Sequence, residues 1–215
     1  MLDANGCNDT QSVVITEPSI LGVSLTATNV SCNGLSDALI TSSGTGGLTP
    51  YQYSLNGGAY QTSSLFNSIG AGTYTVSIKD INGCTANKSI IITQPTALAI
   101  SATSTTNVDC KGNSTGSITV GGSGGTTPYT YNYAGGSYAS VNTFGSLAAG
   151  NHTIGIKDAN GCTSSVSVTI TEPNALSVSA SSTTNVDCKG NSTGSITVGG
   201  SGGTTPYTYN YAGGS

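Results

Sequence analysis

One pattern, Asp-x-Asn-Gly-Cys, occurs three times in the chain, at 3–7, 80–84 and 158–162, with its cysteines 77 and 78 residues apart. A second cysteine class, Cys32, Cys110 and Cys188, recurs every 78 residues. Thr-Glu/Gln-Pro closes each period at Pro18, Pro95 and Pro173, and Thr-Pro-Tyr-x-Tyr recurs at 49–53, 127–131 and 205–209. Residues 104–137 are identical to 182–215 over all 34 positions. Such periodicity makes the repeat, not the chain, the unit that has to fold. It divides the sequence into the last strand of a preceding repeat (1–18), two complete repeats (19–95 and 96–173) and the first half of a following one (174–215). Both ends read as cuts through a longer array. A unit of this size buries little core, so staples or neighbouring units are expected to support it.

Within 96–173 the apolar residues alternate with polar ones, the period of a half-buried strand. Strands are predicted at 98–108, 116–120, 129–133, 152–157 and 163–171, with one or two short ones in 138–147. Asn160-Gly161 between two alternating runs is a strong hairpin signal. The glycine clusters 44–47 and 121–125 read as loops between strands. They are not phosphate loops, because neither is followed by Gly-Lys-Ser/Thr or a helical pattern. The expected fold is all-β: tandem immunoglobulin-like antiparallel β-sandwich repeats of about 78 residues. Alternation places Ile118, Val120, Tyr129, Tyr131, Phe144, Leu147, Ile154, Ile156, Val166, Val168 and Ile170 in the core. Tyr133 continues the tyrosine stripe and is expected on the same face.

Composition narrows the partners. The chain has 32 Ser, 33 Thr, 31 Gly and 18 Asn, just over half of its 215 residues, while charged residues are 7%. Arg and Trp are absent, and the net charge is −4. Without a basic run there is no electrostatic footprint for nucleic acid or anionic lipid. No apolar stretch is long enough for a membrane helix, so membrane insertion is not expected. No signal peptide is legible at the start.

The ordered motifs resemble a known family. Cys-x-Gly-x-x-x-Gly/Ala at Cys32 and Cys110, Gly-Gly-x-Thr-Pro-Tyr-x-Tyr, Leu-Ala-Ala-Gly before an alternating strand, Asp-Ala-Asn-Gly-Cys-Thr and the closing Ile-Thr-Glu-Pro are similar to the SprB-type repeat. That repeat belongs to large surface, gliding-motility adhesins of Bacteroidetes exported by the type IX secretion system. The resemblance covers both complete and both partial repeats. Ala38 in place of Gly116 and Leu55 in place of Tyr133 are small departures. It implies a secreted, extracellular structural protein on the bacterial cell surface, a fibril or adhesin stalk without a catalytic site.

Candidate chemical sites are few. A triad needs histidine near serine and aspartate, and His152 is the only histidine. Its counterpart one repeat earlier is Tyr74, which points to a packing position at a sandwich corner. The chain is therefore not expected to be an enzyme, and no cofactor is implied. The Tyr129, Tyr131, Tyr133 stripe could stack on sugars, but core packing is the simpler reading. Asp80/Asn82 and Asp158/Asn160 begin like a calcium loop yet lack its later ligands, and Asp and Asn also suit tight turns; no metal site is assigned. Six Asn-x-Ser/Thr sequons, at Asn8, Asn29, Asn87, Asn113, Asn151 and Asn191, are candidate glycosylation sites on a hydroxyl-rich surface.

The six cysteines lack Cys-x-x-Cys spacing and read as disulfides of an oxidising compartment. In an immunoglobulin-like strand order, Cys110 lies in the first turn and Cys162 in the last hairpin, at opposite ends of the domain. The expectation is therefore a bond between repeats, Cys32 with Cys162. The alternative is Cys32 with Cys84 and Cys110 with Cys162, within repeats. Neighbouring repeats of the same chain are thus the expected partners, and surface polysaccharide or other fibres the further ones. A repeated polysaccharide-binding module acting through avidity is the competing function.

Overall fold

The computed structural model describes residues 1–211. The end of the partial repeat predicted at 174–215, residues 212–215, lies outside the described residues. Every named element among them is a strand. In chain order they are β1 (Gly22–Ala27), β2 (Ala38–Thr45), β3 (Gln52–Leu55), β4 (Leu65–Ile69), β5 (Gly72–Lys79) and β6 (Thr85–Ile92). The same succession follows as β7 (Ala99–Thr106), β8 (Gly116–Ser123), β9 (Thr130–Tyr133), β10 (Thr143–Leu147), β11 (Gly150–Lys157) and β12 (Thr163–Ile170). β13 (Ser177–Thr184) and β14 (Ser195–Ser201) complete the set. The chain divides into two compact units, 1–94 and 95–215.

Each six-strand set forms two antiparallel sheets, ordered β1-β2-β4 and β3-β5-β6 in the first set, β7-β8-β10 and β9-β11-β12 in the second. This is an immunoglobulin-like sandwich, with three strands in each sheet and no strand between the third and fourth to widen the first sheet. The chain thus folds as tandem immunoglobulin-like sandwiches. β13 and β14 pair as the first two strands of another such sheet.

Alternation builds the core. In β8, Ile118 and Val120 are fully buried, and β11 sends Ile154 and Ile156 into the same cluster with Tyr131, Leu147, Ile170 and Val108. Tyr129, Phe144, Val166 and Val168 pack against that cluster half-buried. The first set repeats the arrangement with Ile40, Val76, Ile78 and Ile92. Burying an Ile or Val side chain contributes about 1.5–3 kcal/mol, so these few residues carry most of the drive to fold in a chain poor in apolar side chains.

Three expectations need correction. Tyr133 is not a core residue: it is 36% exposed at the strand end. The glycine clusters are only partly loops, because β2 and β8 run into them. Gly122 belongs to β8 through its pairing with Ile100 of β7, and only glycine fits there because a Cβ would stand 2.3 Å from Ile156 Cδ1 and 2.9 Å from the Tyr129 ring. The loop proper begins at Gly124, with a φ of 71°. Finally, residues 1–18 form no strand, only an isolated bridge between Leu2 and Asn8. Strands β6 and β12 are held along their whole length by pairing with β5 and β11.

Candidate functional site

The repeated motifs gather at the two ends of each sandwich. At one end, the Asp-x-Asn-Gly-Cys turn joins the last two strands. Asp158 is buried, and its Oδ1 accepts the N–H groups of Asn160 (3.0 Å) and Cys162 (2.9 Å). Its Oδ2 accepts the N–H of Thr126 (2.8 Å), and the Ala159 N–H donates to the Thr126 carbonyl (2.9 Å). Asp80 does the same with Cys84 (2.9 Å) and Leu48 (3.1 Å). Burial pushes the Asp80 carboxyl up, but the backbone donors of Leu48, Cys84 and Asn82 outweigh it and hold the group below the usual aspartate value. Both carboxylate oxygens are thereby committed to backbone donors. The aspartate fastens the glycine-rich loop to the last hairpin; among the described residues no acidic, histidine or cysteine cluster suited to a metal ion is found.

At the other end lies the turn bearing Cys32 or Cys110. Asp109 Oδ1 accepts from the Cys110 N–H (2.6 Å), Asn113 Nδ2 (3.1 Å) and Thr115 Oγ1 (2.8 Å), and these bonds hold its carboxyl below the usual value. The first repeat closes the same turn from the opposite side, with Asp37 accepting from the Ser31 N–H (3.0 Å) and the Ser31 hydroxyl. Asn29 Oδ1 accepts the Thr93 N–H (2.9 Å), and the Val30 N–H donates to the Thr93 carbonyl (3.0 Å). Asn107, Val108 and Thr171 repeat this tie. The end of the first strand is thus laced to the end of the last, across the two sheets. Gln94 Oε1 accepts the Gly34 N–H (2.7 Å), and Glu172 accepts the Gly112 N–H (2.8 Å) while pairing with Lys111 Nζ (3.0 Å).

These ties fix where the cysteines sit. Cys110 is beside Thr171 and Glu172, which follow β12, whereas Cys162 immediately precedes it. The eight residues of β12 rise about 3.3 Å each, so roughly 26 Å separates the two ends. A disulfide spans only about 4.4–6.8 Å between Cα atoms. Cys32 and Cys84 stand in the same relation to β6. Cys84 and Cys110, with Cys7 and Cys188, are free and exposed.

His152 is structural. Tyr74, near the start of β5, donates its hydroxyl to the Gly70 carbonyl four residues back (3.2 Å), the tyrosine corner of immunoglobulin-like folds. His152 reproduces it: a carbonyl can only accept, so Nε2 donates to Ala148 O (2.9 Å), leaving Nδ1 for the Tyr133 hydroxyl (2.7 Å). Tyr133 also stacks at 5.8 Å between centroids on both Phe144 and His152. All six sequon asparagines are exposed. Asn113 and Asn191 point Nδ2 at Asp109 and Asp187, and Asn29 holds Thr93.

The sequence reading missed the Asp109 turn, the Asn29 and Asn107 ties and the Gln94 and Glu172 latches. Recurrence of Thr-Asn-Val at 28–30 and 106–108 was the available signal.

The family model described as the SprB repeat matches residues 24–60, 102–137 and 180–214, half of the chain in all. No curated protein matches the chain. Among solved structures, the crystal structure of a C-terminal 282-residue fragment of intimin in complex with the intimin-binding domain of the translocated intimin receptor is 14% identical, over 74% of this chain and 67% of that one, with a TM-score of 0.38.

Proposed function

Because the chain belongs to the SprB repeat family, its sandwiches are copies of one module, and we propose that they form a non-enzymatic stretch of an extracellular bacterial fibre or adhesin stalk. The boundaries of the copies are those of the sequence period, 1–18, 19–95, 96–173 and 174–215. They stack head to tail, and Cys32 of one repeat bonds Cys162 of the next, so that tension bypasses the noncovalent contacts between small domains. The observation carrying this reading is the segregation of the two cysteine classes to opposite ends of each sandwich, which leaves bonds between repeats as the outlet for both. Asp80 and Asp158, Asp37 and Asp109, Glu172 and His152 each serve a turn, a latch or a corner, which favours a structural over a catalytic role. A hydroxyl-rich, weakly charged surface, with exposed Asn8, Asn29, Asn87, Asn113, Asn151 and Asn191, suits a glycan coat outside the cell.

Immunogold labelling of intact source cells with antibody raised against this chain tests the reading. Label along filaments projecting from the surface is expected, and no surface label on intact cells that do label after permeabilisation contradicts it. Polysaccharide binding is the second reading, favoured by the partly exposed ring of Tyr133. Reproducible retention of one sugar class on a glycan array, lost on Tyr133→Ala, would establish it.

A further inference from the structure

A groove on the first repeat and a cavity further along the chain share three equivalent positions. In the unit 95–215, Asp109, Cys110 and Lys111 form one wall of a cavity of about 590 Å³. Thr204, Pro206 and Tyr207 of the following repeat stand on its other wall. Thr204 corresponds to Thr126, whose backbone is fastened to Asp158 and Ala159 in the turn that ends at Cys162. The cysteine turn of one repeat therefore faces the end of the next repeat that carries its Asp-x-Asn-Gly-Cys hairpin.

Two periods earlier, Pro50, Tyr51 and Gln52 occupy the positions of Pro206, Tyr207 and Thr208. With Lys79, Asp80, Ile81 and neighbouring residues they line a groove of about 400 Å³ on the first repeat. Its lip is apolar. Leu48 and Ile81, joined by a backbone bond from the Ile81 N–H to the Leu48 carbonyl (3.2 Å), are 46% and 63% exposed. The second repeat has Thr126 and Ala159 at these places. Ile81 on the groove and Leu48 joined to it thus present exposed apolar surface next to a groove whose counterpart further along the chain is faced by a cysteine turn.

The geometry points to a socket: the face made by Leu48, Pro50–Gln52 and Ile81–Gly83 receives the Asp-Cys-Lys-Gly turn of a repeat standing before it. This rests on the head-to-tail reading and names the docking surface and its occupant. Lys79 meets the acidic residue of the turn, and Ile81 and Leu48 cover its glycine backbone. The turn is also formed at 187–190, where Asp187 Oδ1 accepts the Cys188 N–H (2.8 Å) and Thr193 Oγ1 (2.9 Å). One molecule can thus enter the socket of a second, bringing exposed Cys188 to exposed Cys84. With oxidised glutathione as co-reactant, the two thiols become one disulfide, and their two electrons and two protons leave with two molecules of glutathione.

The test is peptide mapping of the full chain, oxidised at high concentration in glutathione buffer. A Cys84–Cys188 link between molecules should dominate over links involving Cys7, Cys110 or like pairs. Ile81→Glu should cut its yield roughly tenfold, the effect of about 1.4 kcal/mol, while Lys88→Glu, outside the groove, should leave it unchanged. Links distributed by exposure alone, no link between molecules, or indifference to Ile81→Glu would overturn the socket. The Cys32–Cys162 peptide is read from the same digest. Its presence beside random Cys84 linkage rejects the socket and leaves the staple, whereas its absence rejects the staple itself.

Discussion

The two complete repeats make the same contacts with different residues. In the first, Asp37 closes the cysteine turn by accepting from Ser31; in the second, Asp109 at the Ser31 position accepts from Thr115 at the Asp37 position. The carboxylate and the hydroxyl have exchanged places. Ser54 and Ser77 of β3 and β5 are likewise replaced by Asn132 and Gly155 of β9 and β11. Ser54 Oγ donates to the Gly58 carbonyl (2.7 Å), and Asn132 Nδ2 to the Gly136 carbonyl (2.9 Å). The longer Asn132 also accepts the Gly155 N–H (3.0 Å), in space that a Cβ at 155 would take, 2.3 Å from Asn132 Oδ1. Tyr74 and His152 serve the same corner. What persists between the copies is the closing of the turns and corners at each end, not the residue that achieves it.

The comparison breaks most severely in the core, where the repeats do not differ. Ile78 and Ile156 are both fully buried at equivalent positions, so Ile78→Ala and Ile156→Ala should each cost about 2–5 kcal/mol. Calorimetry of the full chain should show equal losses; a much smaller loss at either site would mean that the two cores are not equivalent.

Next in size is the serine and asparagine exchange. Gly155→Ser alone forces its side chain into Asn132 and should destabilise by about 1–3 kcal/mol. Adding Asn132→Ser, which recreates the pair of the first repeat, should recover most of that loss in a double-mutant cycle. Additive losses would show that the two positions are not coupled.

The turn exchange should behave in the same way on a smaller scale. Asp109→Ser should loosen the Cys110 turn, visible as faster amide exchange at Cys110, and Asp109→Ser with Thr115→Asp should restore its protection. Failure of the double variant would mean that the turn reads its sequence in one direction only.

Acid should separate the repeats least but still measurably. The Gly112 N–H, followed by Lys111, holds the Glu172 carboxyl below the ordinary glutamate value of 4.5. A carboxylate with a depressed folded pKa binds fewer protons than in the unfolded chain, so its contribution is complete above the ordinary value and is lost as pH falls through the folded one. Gln94 makes the corresponding bond in the first repeat without titrating. Glu172→Gln should therefore flatten the loss of stability below about pH 4.5, and Gln94→Glu should steepen it. An unchanged acid limb in both variants would show that the latch makes no such contribution.

How far the sequence could be read follows from the same comparison. Strict alternation exposed Ile154, Ile156, Ile118 and Val120 as core, because one missed step would turn every side chain to the other face. Tyr133 obeyed the same alternation and still lies at the surface: the sheet ends there, and an apolar pattern does not reveal where its cover stops. The Asn29 and Asn107 ties and the exchanged aspartates were hidden for a different reason. Each joins residues distant in sequence, or swaps partners between copies, so no single position displays a constant residue type. Strand β6 could be read from Thr85–Ile92 because its alternation coincides with an unbroken ladder to β5.

Peptide mapping of the unreduced full chain tests the central claim most directly. The account predicts a peptide pair joining Cys32 to Cys162. A bond between Cys110 and Cys162, or between Cys32 and Cys84, would contradict the stapled array and also the separation of the two cysteine classes along β6 and β12.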